Sequence, residues 1–155
     1  MKDTKKALVW IIKLLEENNL NYQVVGGLAA KAYGSTRELA DIDIYVPKKD
    51  FIKICELTKE FITWGPGHYK SNSWDLEYVK IERFGQKIEI ANSNNTKWFD
   101  ALNKKWVVEN SDYDKAQIKT VFGVSFKVMS KENLIFYKKR LNREVDLIDI
   151  EEITS

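Results

Sequence analysis

The chain predicts an α+β fold in which a mixed β-sheet is flanked by helices and followed by a helical tail. Three observations carry this. The element order is helix, strand, helix, strand, helix, then paired strands, then helices, which is neither a regular βαβ alternation nor an all-helical pattern. Two short runs rich in Val, Ile and Tyr, Tyr22 to Val25 and Asp41 to Val46, enclose an Ala-rich segment. The C-terminal segment then returns to helical spacing.

Leu8, Ile11, Ile12 and Leu15 recur at helical spacing and predict an amphipathic helix from Thr4 to Asn18. Asn18-Asn19 ends it, and Tyr22 to Val25 follows as a short buried strand. Gly27 to Tyr33 is the helix after a Gly-Gly turn, with small residues that suit close packing on a sheet. Asp41 to Val46 is the second strand, stopped by Pro47, and Phe51 to Phe61 is helical. Trp64-Gly65-Pro66-Gly67-His68 carries strong turn signals and is expected as an irregular loop. Leu76 to Phe84 and Lys87 to Ala91 predict a hairpin turning near Gly85-Gln86. Thr96 to Lys105 is expected as a short helix or irregular connector. Ile118 to Phe122 and Val124 to Val128 form a second hairpin around Gly123. Ser130 caps a helix running to Asn142, and Glu144 to Ile153 continues as an acidic helical segment.

With 155 residues, the chain is read as one domain over residues 1–155. A hydrophobic fraction of 44% with 31% charged residues is that of a soluble globular protein. A net charge of +2 gives no general affinity for nucleic acid. The single cysteine, Cys55, excludes an internal disulfide and a cysteine-based zinc site, and suits a reducing cytoplasm. It falls in a helical segment and reads as a small packed hydrophobe. The Leu8 to Leu15 run is broken by Lys13 and is too short to span a bilayer, so a cytoplasmic protein without membrane association is expected.

The chemistry concentrates in Val24-Val25-Gly26-Gly27 and Asp41-Ile42-Asp43-Ile44. Side chains alternate along a strand, so Asp41 and Asp43 share one face while Ile42, Ile44 and Val46 share the other. Paired carboxylates repel unless a cation lies between them, and an oxygen donor set suits Mg²⁺ or Mn²⁺. A Gly-Gly turn opening a helix offers backbone N–H groups to phosphate. In Lys87-Ile88-Glu89-Ile90-Ala91, Glu89 opposes the two isoleucines and is a third acid if this strand pairs beside Asp41 to Val46. Glu77 and Glu82 are rival third acids on the preceding arm.

The order Gly-Gly, Asp-x-Asp, then hydrophobic-acid-hydrophobic resembles the polymerase-β-like nucleotidyltransferase superfamily over Leu20 to Ala91. Thr36 to Asp43, with Arg37, is similar to the lead-in of lincosamide-type nucleotidyltransferases. Leu134 to Asp149 is similar to the helical tail of small stand-alone members, including abortive-infection relatives. The resemblance implies a nucleotidyltransferase-like sheet and transfer of a nucleoside monophosphate from a nucleoside triphosphate such as ATP, with pyrophosphate leaving. It implies catalytic and metal-binding roles for Asp41, Asp43 and Glu89, and nucleotide binding by Gly26, Gly27, Arg37 and Lys138. Gly27 stands where many members have Ser, so that hydroxyl contact to phosphate is absent.

Three readings of function follow: a transferase acting on a small molecule, a toxin–antitoxin or phage-defence transferase acting on a protein or RNA, and an inactive nucleotide-binding module. A homodimer or a toxin–antitoxin partner is compatible with the chain. Lys138, Arg140 and Arg143 partly share a helical face and are read as either solvated or phosphate-facing, with Lys138 the phosphate candidate. Asp146 and Asp149 are expected to pair with nearby Lys or Arg. His68 is read as an inert loop residue. Trp64 and Trp74 are the candidates for stacking a base or an aromatic acceptor.

Overall fold

The computed structural model describes residues 1–155 and is built around one eight-stranded mixed sheet. Strands β1 (Gln23–Val25), β2 (Asp41–Val46), β3 (Ile62–Lys70), β4 (Trp74–Arg83), β5 (Gln86–Asp100), β6 (Lys105–Val108), β7 (Gln117–Val121) and β8 (Val124–Val128) follow the chain order. Across the sheet they run β3-β4-β5-β2-β1-β8-β7, and β6 pairs with the far part of β5. β2 lies antiparallel to β1 and parallel to β5, and β1 lies parallel to β8. The helices are α1 (Thr4–Glu17), α2 (Gly26–Ala32), α3 (Lys48–Leu57), α4 (Lys131–Leu141) and α5 (Glu144–Thr154).

The predicted alternation holds in the central strands. Ile42, Ile44, Ile88, Ile90, Val79 and Ile81 are fully or almost fully buried, as are the α1 residues Leu8, Ile11 and Leu15 in the same core. Asp3 caps α1 by accepting the Lys6 N–H at 3.0 Å, and the Ser130 hydroxyl caps α4 by accepting that of Asn133 at 3.2 Å. Both hairpins form, turning at Phe84-Gly85 and Phe122-Gly123. No helix is long and apolar enough to cross a membrane.

Two expected non-sheet segments are sheet. Trp64 to His68 belongs to β3 rather than to an irregular loop, with a cis Gly65–Pro66 peptide and two register shifts. β3 is the edge of the sheet, where a proline without an N–H removes no shared ladder bond. Thr96 to Lys105, expected as a helix or connector, holds the end of β5, a turn and the start of β6. The polar run Asn92-Ser93-Asn94-Asn95 looks like a break, yet Asn92 and Ser93 are buried and satisfied within the fold. Asn92 donates to Glu77 at 3.0 Å and the Ser93 hydroxyl donates to the Val46 carbonyl at 3.2 Å. These residues form a bulge between the Tyr78–Ala91 and Leu76–Thr96 pairs, beyond which Thr96, Trp98 and Asp100 resume period-two burial.

Candidate active site

The polar face of β2 and β5 and the N-terminus of α2 line a cleft of about 540 Å³. Register fixes its acids. Asp43 lies directly opposite Glu89 and Asp41 opposite Lys87, so Asp41, Asp43 and Glu89 share one sheet face. All three line the cleft and are half-buried. The rival acids go elsewhere: Glu77 faces Asn92 beside a second hollow, and Glu82 pairs across the strands with Lys87 and is exposed.

Crowding of the acids has a protonic consequence. Burial, then the charges of Glu89 and Asp41, push Asp43 well above its ordinary value of 3.8, and hydrogen bonding to Glu89 adds to the rise. Burial and the Asp41 charge also raise Glu89, against the pull of that hydrogen bond and of Lys80 and Lys87. A divalent cation would relieve this repulsion. No three His, Cys, Asp or Glu side chains converge into a closed cage. Mg²⁺ does not need one, because it is ordinarily held by one or two carboxylates with substrate phosphate oxygens and waters completing its shell. The donor set therefore fits Mg²⁺ or Mn²⁺.

The Gly-Gly turn touches the acids. Gly26 has φ +64, and a Cβ placed on it would lie 2.5 Å from Asp43 Oδ2. Gly27 has no such backbone requirement; its added Cβ would meet Arg37 Nη2 at 3.2 Å. The left-handed backbone of the turn therefore lies at Gly26. The Gly26 N–H is not free for phosphate as it stands, because it donates to the Tyr137 hydroxyl at 2.9 Å. Helix α2 has no side-chain cap at Val25.

Arg37 and Lys138 both line the cleft but are held in an ion network from α5. Arg37 donates through Nε and Nη2 to Asp149 at 3.0 and 2.8 Å, a bidentate pair. Lys138 is 1% exposed, so it belongs to no solvated face; its ammonium lies 3.0 Å from Asp149 and 3.4 Å from Asp146. Arg143 completes the set on Asp146 at 2.7 Å. Burial pushes Asp149 up, but Arg37 and Lys138 outweigh it and hold the carboxyl below its usual range. Asp146 and Asp149 do pair with cations, mostly from other elements. Three cations share two buried carboxylates, which leaves positive charge beside the Gly-Gly turn.

Sequence reasoning missed Tyr137, Lys80, Tyr69 and Tyr78, all of which line the cleft. Lys80 stands opposite Glu89 in the β4–β5 pairing, a placement that strand parity reveals once the hairpin register is fixed. Tyr137 sits in a run of aromatic and basic residues with no periodic signal for its contact with Gly26. Of the two stacking candidates, Trp74 lines the cleft, 6.4 Å from the Tyr137 ring. Trp64 instead packs on Tyr78 at 5.1 Å, outside the cleft lining. His68 is largely exposed and bonds Asp75.

A Gly-Gly turn abuts an Asp-x-Asp strand, a third acid comes from the parallel neighbour, and the mixed sheet with its helical tail is a nucleotidyltransferase-like fold. The family model for aminoglycoside-2''-adenylyltransferase matches residues 7–153, and the chain belongs to that family; it is a nucleotidyltransferase. Among solved structures it is similar to a Thermotoga maritima protein described as a nucleotidyltransferase, with a TM-score of 0.75, 18% identity, and coverage of 97% of this chain and 93% of that one. It is also similar to the lincosamide antibiotic adenylyltransferase LnuA in its lincomycin-bound form, with a TM-score of 0.65, 20% identity, and coverage of 100% and 99%. A third similar structure is ANT(2'')-Ia in complex with adenylyl-2''-tobramycin, at 0.59, 16%, 97% and 88%. No curated protein matches by sequence.

Proposed function

We propose that this chain is a metal-dependent adenylyltransferase that moves AMP from ATP to a hydroxyl of a small acceptor of the antibiotic type. The observation that carries the reading is the β2–β5 register, which sets Asp43 against Glu89, with Asp41 on the same face and the Gly26 turn against Asp43. Asp41 and Asp43 would hold Mg²⁺ or Mn²⁺, with Glu89 beside them. When bound, such an ion supplies charge neutralisation at the phosphates and polarises their oxygens.

The protein's own groups do the rest. The first turn of α2 at Gly27, with the residual positive charge of the Arg37–Asp149–Lys138 network, favours the triphosphate at that end of the cleft. Both Gly26 and Gly27 leave the approach open where a side chain would meet Asp43 or Arg37. The acceptor oxygen attacks the α-phosphorus and a new O–P bond forms. The bond from that phosphorus to the bridging oxygen breaks, pyrophosphate leaves with the electron pair, and the hydroxyl proton passes to the Glu89 carboxylate. A cleft of this volume with aromatic walls supports a small acceptor over a protein or RNA.

The test is transfer of radiolabel from the α-phosphate of ATP, with Mg²⁺ or Mn²⁺, to acceptors that include lincomycin and tobramycin. Glu89→Gln should lower turnover by about 10²-fold or more, the range for a lost general base. Glu77→Gln and Glu82→Gln should stay close to the parent. Absence of metal-dependent ATP binding, or full turnover in Glu89→Gln, would overturn the reading.

A further inference from the structure

Away from the Gly-Gly turn, the cleft wall is built from the ends of β3 and β4. Tyr69, Trp74, Leu76, Tyr78 and Lys80 line it. The wall is preorganised: Tyr69 and Tyr78 meet edge to face at 5.6 Å, and Trp64 backs Tyr78 from behind at 5.1 Å. Its one charged group is Lys80, with the ammonium 5.9 Å from the Tyr78 ring centre and Glu89 opposite in the next strand.

No acid of this wall faces the cleft. The only carboxyls lining the whole cavity are Asp41, Asp43 and Glu89, which the adenylyltransferase reading places at the reaction centre. Asp146 and Asp149 are fully buried and engaged by Arg37, Lys138 and Arg143. Asp75 bonds His68, and Glu77 bonds Asn92 beside the second hollow. A molecule carrying several ammonium groups would find no counter-charge beyond the three central acids, and would meet Lys80 at the same time. Like charges brought together with partial desolvation are costly to binding. Aromatic faces favour the apolar face of a ring or glycoside instead.

We propose, resting on the adenylyltransferase reading, that the acceptor is an uncharged hydroxyl compound with an aromatic or apolar ring face, and that Lys80 is the residue that turns polycationic acceptors away. The chain thereby combines membership of an aminoglycoside-modifying family with an acceptor wall unsuited to a polyamine sugar.

The experiment uses the full chain with ATP labelled at the α-phosphate and three acceptors graded in charge: phenyl β-glucoside, glucosamine and neamine. Label should follow that order, with phenyl β-glucoside first. Lys80→Met should lower the KM for neamine at least tenfold at low salt with little change in kcat, and the gain should shrink as salt screens the charge. Lys80→Arg, which keeps the charge, should behave like the parent. Preferential labelling of neamine by the parent would overturn the proposal, as would an unchanged neamine KM in Lys80→Met. Labelling of none of the three by a protein that still binds ATP with metal would also overturn it. Loss of ATP–metal binding itself, read separately by titration, would instead remove the adenylyltransferase reading on which it rests.

Discussion

Gly26→Ala tests the contact between the turn and the acids. Gly26 has φ +64, and the new Cβ would fall 2.5 Å from Asp43 Oδ2 and 3.2 Å from Asp43 Cβ. The backbone part of the penalty is the left-handed conformation, about 1–2 kcal/mol for a residue with a Cβ. For a chain of this size that is a fall in Tm of roughly 2–8 °C. The steric part is relieved by turning the Asp43 carboxyl away, which costs little stability but moves a group held against Glu89. A displacement of about 1 Å at a reacting centre costs on the order of 10²-fold in rate. Turnover should therefore drop far more than stability. In an Asp43→Ala background, which has no carboxyl to turn, Gly26→Ala should lower Tm by nearly the same backbone amount as in the parent. A Gly26→Ala enzyme with parental turnover and metal response would refute the contact.

Two further outcomes follow from the charge arrangement. Asp43 and Glu89 are raised in the folded state, above ordinary values of 3.8 and 4.5, so they favour the fold while protonated and that contribution fades as pH rises through their folded values. Metal binding needs them ionised, so the Tm gain from Mn²⁺ with ATP should grow with pH above about 4.5 and be absent in the Asp41→Asn, Asp43→Asn double variant; a gain independent of pH would count against the acids. Asp149 is depressed, so its contribution is present above 3.8 and is lost as pH falls through the lower folded value. Lys138→Met strips the buried acids of their shared cation, and with Arg37 and Arg143 still in place the loss should sit near the low end for a broken buried pair, about 3 kcal/mol. Chemical denaturation measures it, and a loss under about 1 kcal/mol would place Lys138 outside the stability of the network.

What was legible in the sequence was the part governed by short-range periodicity. Strand parity alone set Asp41 and Asp43 on one face and Glu89 opposite Ile88 and Ile90, and the parallel pairing of β2 with β5 brought those faces together. The segments that failed were those where polar or turn-forming residues are satisfied by tertiary partners. Asn92 and Ser93 look like the end of a strand until Glu77 and the Val46 carbonyl accept from them. Gly65-Pro66-Gly67 looks like a loop until it is the outer edge of a sheet. Lys138 had two readings, solvated or phosphate-facing, because helical spacing reports which residues share a face but not what that face meets. Here it meets α5, whose Asp146 and Asp149 lie beyond a left-handed Asn142 and a second helix start. The same limit hid Tyr137, whose hydroxyl reaches Gly26 across 111 residues of chain. That link ties the tail helices to the turn beside Asp43. The positive end of the cleft is therefore assembled by long-range packing, while its negative centre follows from two strands.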